Sequence, residues 1–414
     1  MADRRTFMKQ ALASSGALAA YGLLPDSRIL GANDRIRIGL IGGGDRGQEI
    51  FKAALKCPNI EGAAVADVYT GRLDQVKALV PTIKTYRDFR ALLDDKSVDA
   101  VLIATPQHMH ALNFVPAIQA GKDIYQEKTM AFNPDHAKRM RKALEGSGRV
   151  VQVGIQGTSA TGVEDAKSII NSGKMGVITQ LHTHHYRNEP YGGWKRPIPA
   201  DCTPENVDWK AFQGEAEKHP FDPNRFMNWR FFWDYSGGNV FENMTHQVGF
   251  WYKVLNLTIP ERVTMCGENY LAPDMQPPDT MDVCMVQKEK ILFTWNSMFG
   301  NRLIAEPKDH LLGTKGTIFR DERERISYVP QDRRAAGPGG VEAAETAGKT
   351  PDIIGHGNAN VVHMQNFFDC MRSRKEPNCP LELGFRAAVA CRMAIASYRE
   401  KRTVSWDATR EEIV

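Results

Sequence analysis

The chain has 414 residues, 42% hydrophobic and 25% charged, with a formal net charge of +4. That length allows two domains with real cores, and that composition is ordinary for a globular protein, which excludes the disordered and fibrous classes. About half of the charge lies in residues 1–32, where Arg4, Arg5, Lys9 and Arg28 face Asp3 and Asp26, so the body is close to neutral; it carries no basic stripe interleaved with aromatics, so nucleic acid is not expected as a partner.

In chain order, the first signal is Arg4-Arg5-Thr6-Phe7-Met8-Lys9, a twin arginine set before the apolar run Ala11–Leu24. That run is too short and too rich in Ala and Gly to make a stable membrane span. The combination predicts a twin-arginine leader over residues 1–32 and export to the periplasm or beyond.

Residues 33–157 read as one domain in which strands and helices alternate. Ile36–Ile41 is a buried strand, and Gln48–Lys56 places Ile50, Phe51, Ala54 and Leu55 at helical spacing. Ala63–Ala66 is a second strand, and Leu73, Val76 and Val80 line a second helix. Val98–Ala104 is apolar on both faces, as in a parallel sheet covered by helices, and Asp123–Gln126 and Val150–Val153 continue the series. The fold class predicted is α/β, with a doubly wound Rossmann sheet first.

Residues 158–414 change rhythm. A helix (Val163–Asn171) leads to a strand (Val177–Arg187), a long loop rich in aromatics and Pro, and a helix (Phe241–Leu255). Asp282–Gln287 and Ile291–Ser297 flank Lys288-Glu289-Lys290 as a hairpin. This half is expected to be an α+β domain with a mostly antiparallel open sheet. Ala335–Thr350 reads as a surface loop. The closing helices, within residues 359–402, are expected to pack back towards the first domain. The seven cysteines form no CxxC pair and read as small buried apolar residues.

Gly42-Gly43-Gly44-Asp45-Arg46-Gly47 fits GxGxxG between a strand and a helix, with Asp67 twenty residues beyond Gly47 at the end of the next strand. Gly42 allows the tight turn, Gly44 lets backbone approach a pyrophosphate, and Gly47 lets helix pack on strand. Asp45 and Arg46 open the helix whose N–H groups face the anion. Asp67 accepts from a ribose 2′-OH and repels a 2′-phosphate, which favours NAD over NADP; Arg72 complicates that preference. Thr105-Pro106-Gln107-His108-Met109-His110 and Glu127-Lys128-Thr129 each follow a strand end, where ligands bind in open α/β sheets. Thr105, Pro106, His108, His110, Glu127 and Lys128 are therefore assigned to the cofactor site, with Glu127 on ribose and Lys128 also orienting a substrate hydroxyl. His182, His184 and Tyr186 share one strand face and His185 the other. These histidines with Glu242 and His246 offer metal ligands, but the reading favoured is a polar substrate floor built on His184 and Tyr186, and no metal is assigned. Arg187, Lys195, Trp194 and Trp233 are further candidates for sugar hydroxyls, carboxylates or C–H faces.

In order and spacing these motifs resemble the glucose–fructose oxidoreductase / inositol dehydrogenase (Gfo/Idh/MocA) family over roughly residues 33–414. The resemblance implies a second-domain sheet covering the nicotinamide, sugar or polyol substrates, and pairing of open sheets into a dimer or tetramer. It implies that Glu127 is the ribose-binding Glu and Lys128 the active-site Lys. It extends to Ser236–His246, where Glu242 and His246 stand in the family's acid and His positions, His246 taking the hydroxyl proton and Glu242 orienting it. Three departures stand out: Thr129 for the usual Pro, Glu242 for Asp, and Gly249 for an Asp. Thr245-His246-Gln247-Val248-Gly249 also resembles the Thr-His-x-x-Gly of NAD-dependent glycosidases, which places Thr245 at substrate, although those enzymes do not usually keep the Glu-Lys pair.

Three readings follow. The first is an exported NAD-dependent oxidoreductase of a sugar, polyol or sugar derivative, its cofactor loaded before export and retained. The second is a redox-neutral glycoside hydrolase or lyase. The third is a non-catalytic sugar-binding protein, against which Glu127, Lys128 and His246 all speak.

Overall fold

The computed structural model describes residues 35–303, 307–331 and 356–414. The expected leader, residues 1–32, and the stretch 335–350 lie outside the described residues.

Strand β1 (Ile36–Ile41) buries every residue but Arg37, because helices cover both of its faces. It lies between β2 (Ile60–Ala66) and β4 (Ala100–Ile103), parallel to both. With β3 (Lys84–Tyr86), β5 (Asp123–Gln126) and β6 (Val151–Val153), the order is β3-β2-β1-β4-β5-β6. The order reverses between β1 and β4, so the loops leaving them, at Gly42 and Ala104, diverge and open a crevice. The sequence reading missed β3, whose three residues are largely exposed and carry no apolar pattern. It also missed the helix His110–Gln119, which Pro116 interrupts in sequence though not in space.

The second sheet has nine strands. They are β7 (Ile178–His184), β8 (Arg262–Glu268), β9 (Thr280–Val286), β10 (Leu292–Ser297), β11 (Asp309–Gly313), β12 (Gly316–Arg320), β13 (Ile326–Pro330), β14 (Val404–Asp407) and β15 (Glu412–Ile413). Their order is β13-β12-β11-β7-β10-β9-β8-β14-β15, antiparallel except for the β7–β10 pair. The fold class is thus α/β, a Rossmann-type parallel sheet followed by a mostly antiparallel one. Leu181, Val283, Phe293, Trp295 and Leu311 face inward against the helices Thr245–Leu255 and Leu381–Glu400. The other face carries His182, Thr264, Cys266 and Asp282, all exposed in the single chain.

Of the closing helices, His356–Ser373 packs Met364, Phe367, Phe368 and Met371 into the core around β1. Leu381–Glu400 sinks into the second-sheet core. The expected strand to Arg187 ends at His184, beyond which single bonds to β10 and its extension, His185 N to Asn296 O and Arg187 N to Met298 O, continue the pairing. All seven cysteines are free thiols, Cys266 exposed and Cys284 half-buried. No helix among the described residues is long and apolar enough to cross a membrane.

Candidate active site

The turn after β1 is built as its glycines require. Gly42 has φ +95°, and a Cβ there would meet the Ala104 carbonyl at 2.8 Å; a Cβ on Gly47 would sit 1.9 Å from Gly42 O. The first helical turn is thereby pressed onto the strand end, with backbone N–H groups facing the crevice. Asp67 holds the turn as well as marking the ribose side: its carboxylate accepts from Gly43 N at 2.7 Å and Tyr69 N at 2.9 Å. Around this turn lies a cleft of about 1110 Å³, lined by Gly42, Gly44, Asp45, Arg46, Asp67, Thr105 and Pro106 on the Rossmann side and by Arg187, Trp194, Trp229 and Arg230 from the long loop. The residues that would hold a dinucleotide are present and correctly shaped, so NAD fits. Asp45 bonds Arg196 of the long loop at 2.9 Å, which draws that loop over the turn.

One contact further in lies the group that can handle a proton. Lys128 Nζ donates to Glu242 Oε2 at 2.6 Å, Gln107 donates to Glu242 Oε1 at 2.6 Å, and Arg230 Nε pairs with the same Oε1 at 3.1 Å. Burial opposes charge on Glu242, but Arg230 and Lys128 outweigh it and hold the carboxyl at about 2. Burial pushes Lys128 below the usual lysine range, against the pull of Glu242 and Glu127. His246, half-buried, makes no hydrogen bond with any described residue. Burial, then Lys128, Arg46 and His185, keep its imidazole neutral.

Several assignments land elsewhere. Arg46 turns inward, with its guanidinium 2.9 Å from Glu127 Oε1 and 2.9 Å from Glu49, so Glu127 is engaged by a cation and not open to the cleft. His108 is packed against Phe212 and Tyr235, with Nε2 2.7 Å from Phe212 O. The ring nitrogens of His110 lie 2.8 Å from Thr129 O and 2.9 Å from Thr105 O, tying together the ends of β4 and β5. Both histidines brace the loops rather than line the cleft. His184 stacks on Tyr186 at 4.7 Å, and Tyr186 donates to Asn296 at 2.6 Å, both on the open face of the second sheet. By strand parity His185 is the one turned towards His246. Thr245 is buried against Cys391 of the last helix, and Trp233 pairs with Tyr398 of the same helix at 6.1 Å. Neither faces the cleft. Glu242 accepts no hydrogen bond from His246, so the expected orienting contact is replaced by the bond from Lys128. Arg230 and Gln107 were not singled out: neither has a spacing signal, and only the folded loop brings them to Glu242. The strand histidines are divided between two faces. Glu217, His219 and Asp234 lie close enough to share a metal, but Asp234 already takes Arg225 at 2.8 Å.

The family model for "Oxidoreductase family, NAD-binding Rossmann fold" matches residues 36–155, and its "C-terminal alpha/beta domain" partner matches residues 210–406. The chain belongs to the Gfo/Idh/MocA oxidoreductase family. An inositol 2-dehydrogenase of Salmonella paratyphi B is 29% identical over 165 residues, 39% of this chain and 49% of that protein. The match thus spans about half of that relative. A glycosyl hydrolase family 109 protein of Stenotrophomonas maltophilia is 37% identical over 124 residues, 27% of each chain. A solved levoglucosan dehydrogenase with NADH and levoglucosan superposes with TM-score 0.69 at 18% identity, over 90% of this chain and 99% of that one, a likeness of fold.

Within this Gfo/Idh/MocA chain two departures have structural uses. Thr129 donates its hydroxyl to Phe241 O at 2.7 Å, a bond that proline cannot make, and it ties the Lys128 loop to the His246 segment. At Gly249 a Cβ would sit 2.7 Å from Ile155 Cδ1 and 2.9 Å from Cγ2, so the side chain of an Asp would collide there.

Proposed function

We propose that this protein is an NAD-dependent oxidoreductase of a sugar, polyol or sugar derivative. The observation that carries the reading is a neutral His246, without a hydrogen-bond partner among the described residues, beside the Lys128–Glu242 pair and directly behind the wall of a dinucleotide cleft. NAD+ bound in the cleft supplies the hydride acceptor. Lys128, anchored by Glu242, donates a hydrogen bond to the reacting hydroxyl oxygen. His246 then has a ring nitrogen free to accept the hydroxyl proton, and its low pKa makes it a weak base that releases the proton readily. Ionised Glu242 stabilises the lysine as an ammonium ion. The inositol 2-dehydrogenase relative and the levoglucosan dehydrogenase of similar fold support a polyhydroxylated substrate.

The twin-arginine stretch supports export of the folded, cofactor-loaded chain. The open sheet face supports a homo-oligomer, a dimer or tetramer.

Lys128→Ala and His246→Ala should each lower turnover roughly a hundredfold, the scale for a positioned acid–base group, with NADH affinity unchanged by fluorescence titration. A panel of free sugars and glycosides, followed by nicotinamide absorbance and product mass together, tests the reaction class. Many turnovers of glycoside cleavage without a hydride acceptor would replace this reading with the redox-neutral one.

A further inference from the structure

Arg87, Lys210 and Lys218 of the cleft wall are exposed and solvated; the other cations at the cleft are matched by carboxylates everywhere but one place. Arg46 is matched by Glu127 and Glu49, Arg196 by Asp45, Lys195 by Asp274 at 3.5 Å, and Arg139 by Glu215 at 3.0 Å. At the inner end three cations, Lys128, Arg230 and Arg187, stand about one carboxylate, Glu242. Lys128 and Arg230 already share it. Arg187 has no ion pair among the described residues: it donates to Gly192 O, lies 3.4 Å from His185 Nε2 and rests over Trp194 at 5.4 Å. Glu189 and Glu242 act on it only from beyond ion-pair distance. A half-buried guanidinium without a carboxylate loses hydration and regains little, unless an anion arrives. The guanidinium of Arg230 lies over Trp229 at 4.2 Å, so both arginines are flanked by indole rings in the same cleft wall.

We propose that Arg187 and Arg230 receive a carboxylate, and that the substrate is an acidic sugar, of the uronic or aldonic type, in place of a neutral one. This rests on the cleft being the sugar-oxidoreductase site argued above. The planar fork of arginine matches a carboxylate bidentately, and the flat apolar faces of Trp194 and Trp229 suit the C–H faces of the ring that bears it. The charge surplus at this end selects for an anion, while the helix N-terminus at Gly42 serves the cofactor pyrophosphate.

Calorimetric titration of the full NADH-loaded chain tests this. The probes are D-glucuronate and D-galacturonate, each against its neutral parent D-glucose or D-galactose, with D-glucose 6-sulfate as a further anion. At least one uronate should bind about tenfold or more tighter than its parent, the scale of a charge-assisted hydrogen bond. That advantage should shrink in Arg187→Met and persist in Lys142→Met, a substitution of an exposed lysine outside the cleft lining. Thermal melting checks that Arg187→Met is folded, and the wild-type ratio of acid to neutral affinity stands without it. Parents that bind as tightly as the uronates, uronates that fail to bind, a stronger response to the sulfate, or an advantage untouched by Arg187→Met would each overturn the inference. Neutral sugars oxidised with no acid preference leave the oxidoreductase reading intact and remove only this one; a protein that binds no NADH removes both.

Discussion

Gly47 shows how a single missing atom sets function. A methyl group there would lie 1.9 Å from a backbone oxygen that cannot move without opening the turn. Gly47→Ala should therefore abolish measurable NADH binding, or lower its affinity at least a hundredfold, as read by nicotinamide fluorescence; near-normal affinity would mean that the turn is looser than this packing requires. Asp67 does two jobs, bonding Gly43 and Tyr69 N–H groups in addition to facing the ribose side. Burial raises its pKa, while Arg72 and those N–H bonds lower it. Thr129 and His110 likewise act as braces, fixing the loop that presents Lys128.

At the scale of elements, the segment expected as one helix over 241–255 begins as a π-helical turn, Val240–Met244, before the α-helix Thr245–Leu255. Such turns are frequent at functional sites, and this one commits Glu242 to Lys128 while Thr245 goes to the core. The helix is held to the sheet by a buried polar network. Asp309 accepts from Trp251 Nε1 at 2.9 Å, from Gln247 at 3.0 Å and from Arg320 of β12. Arg320 also pairs with Glu324 and lies over Phe250 at 3.7 Å. Asp309→Ala leaves a buried guanidinium short of a partner, so unfolding free energy in urea should drop by about 3–5 kcal/mol; a loss below about 1 kcal/mol would show that Glu324 suffices.

For the molecule as a whole, buried histidines set the acid limit. Burial holds His108 and His363 at about 4, against 6.5 for an exposed histidine. Between pH 6.5 and 4 the unfolded chain binds protons that the folded chain refuses, so stability falls as pH falls through that window, on the order of 3 kcal/mol for each histidine. Glu242 and Glu324, held at about 2 by their cations after offsetting burial, add stability that is complete above about 4.5 and lost below it. Urea unfolding at pH 7, 6, 5 and 4 should show a steady decline from 6.5 downward; a flat profile to 4.5 would count against neutral buried histidines.

The sequence by itself determined what depends on local spacing. The glycine turn, Asp67, the strand–helix alternation and the β9–β10 hairpin are short-range patterns, because backbone conformation and face parity are set within a few residues. The strand-end position of Lys128 was legible in the same way, and family resemblance then added Glu242 and His246. Tertiary structure decided what depends on partners far apart in sequence. It turned Arg46 onto Glu127, packed His108 and His110 into the scaffold, and put His184 and Tyr186 on the open sheet face. It also brought Gln107 and Arg230 to Glu242 across separations of 135 and 12 residues, the second through a loop with no periodic pattern. Burial and pairing of charge are properties of the folded cleft, and no spacing in the chain encodes which cation goes unmatched.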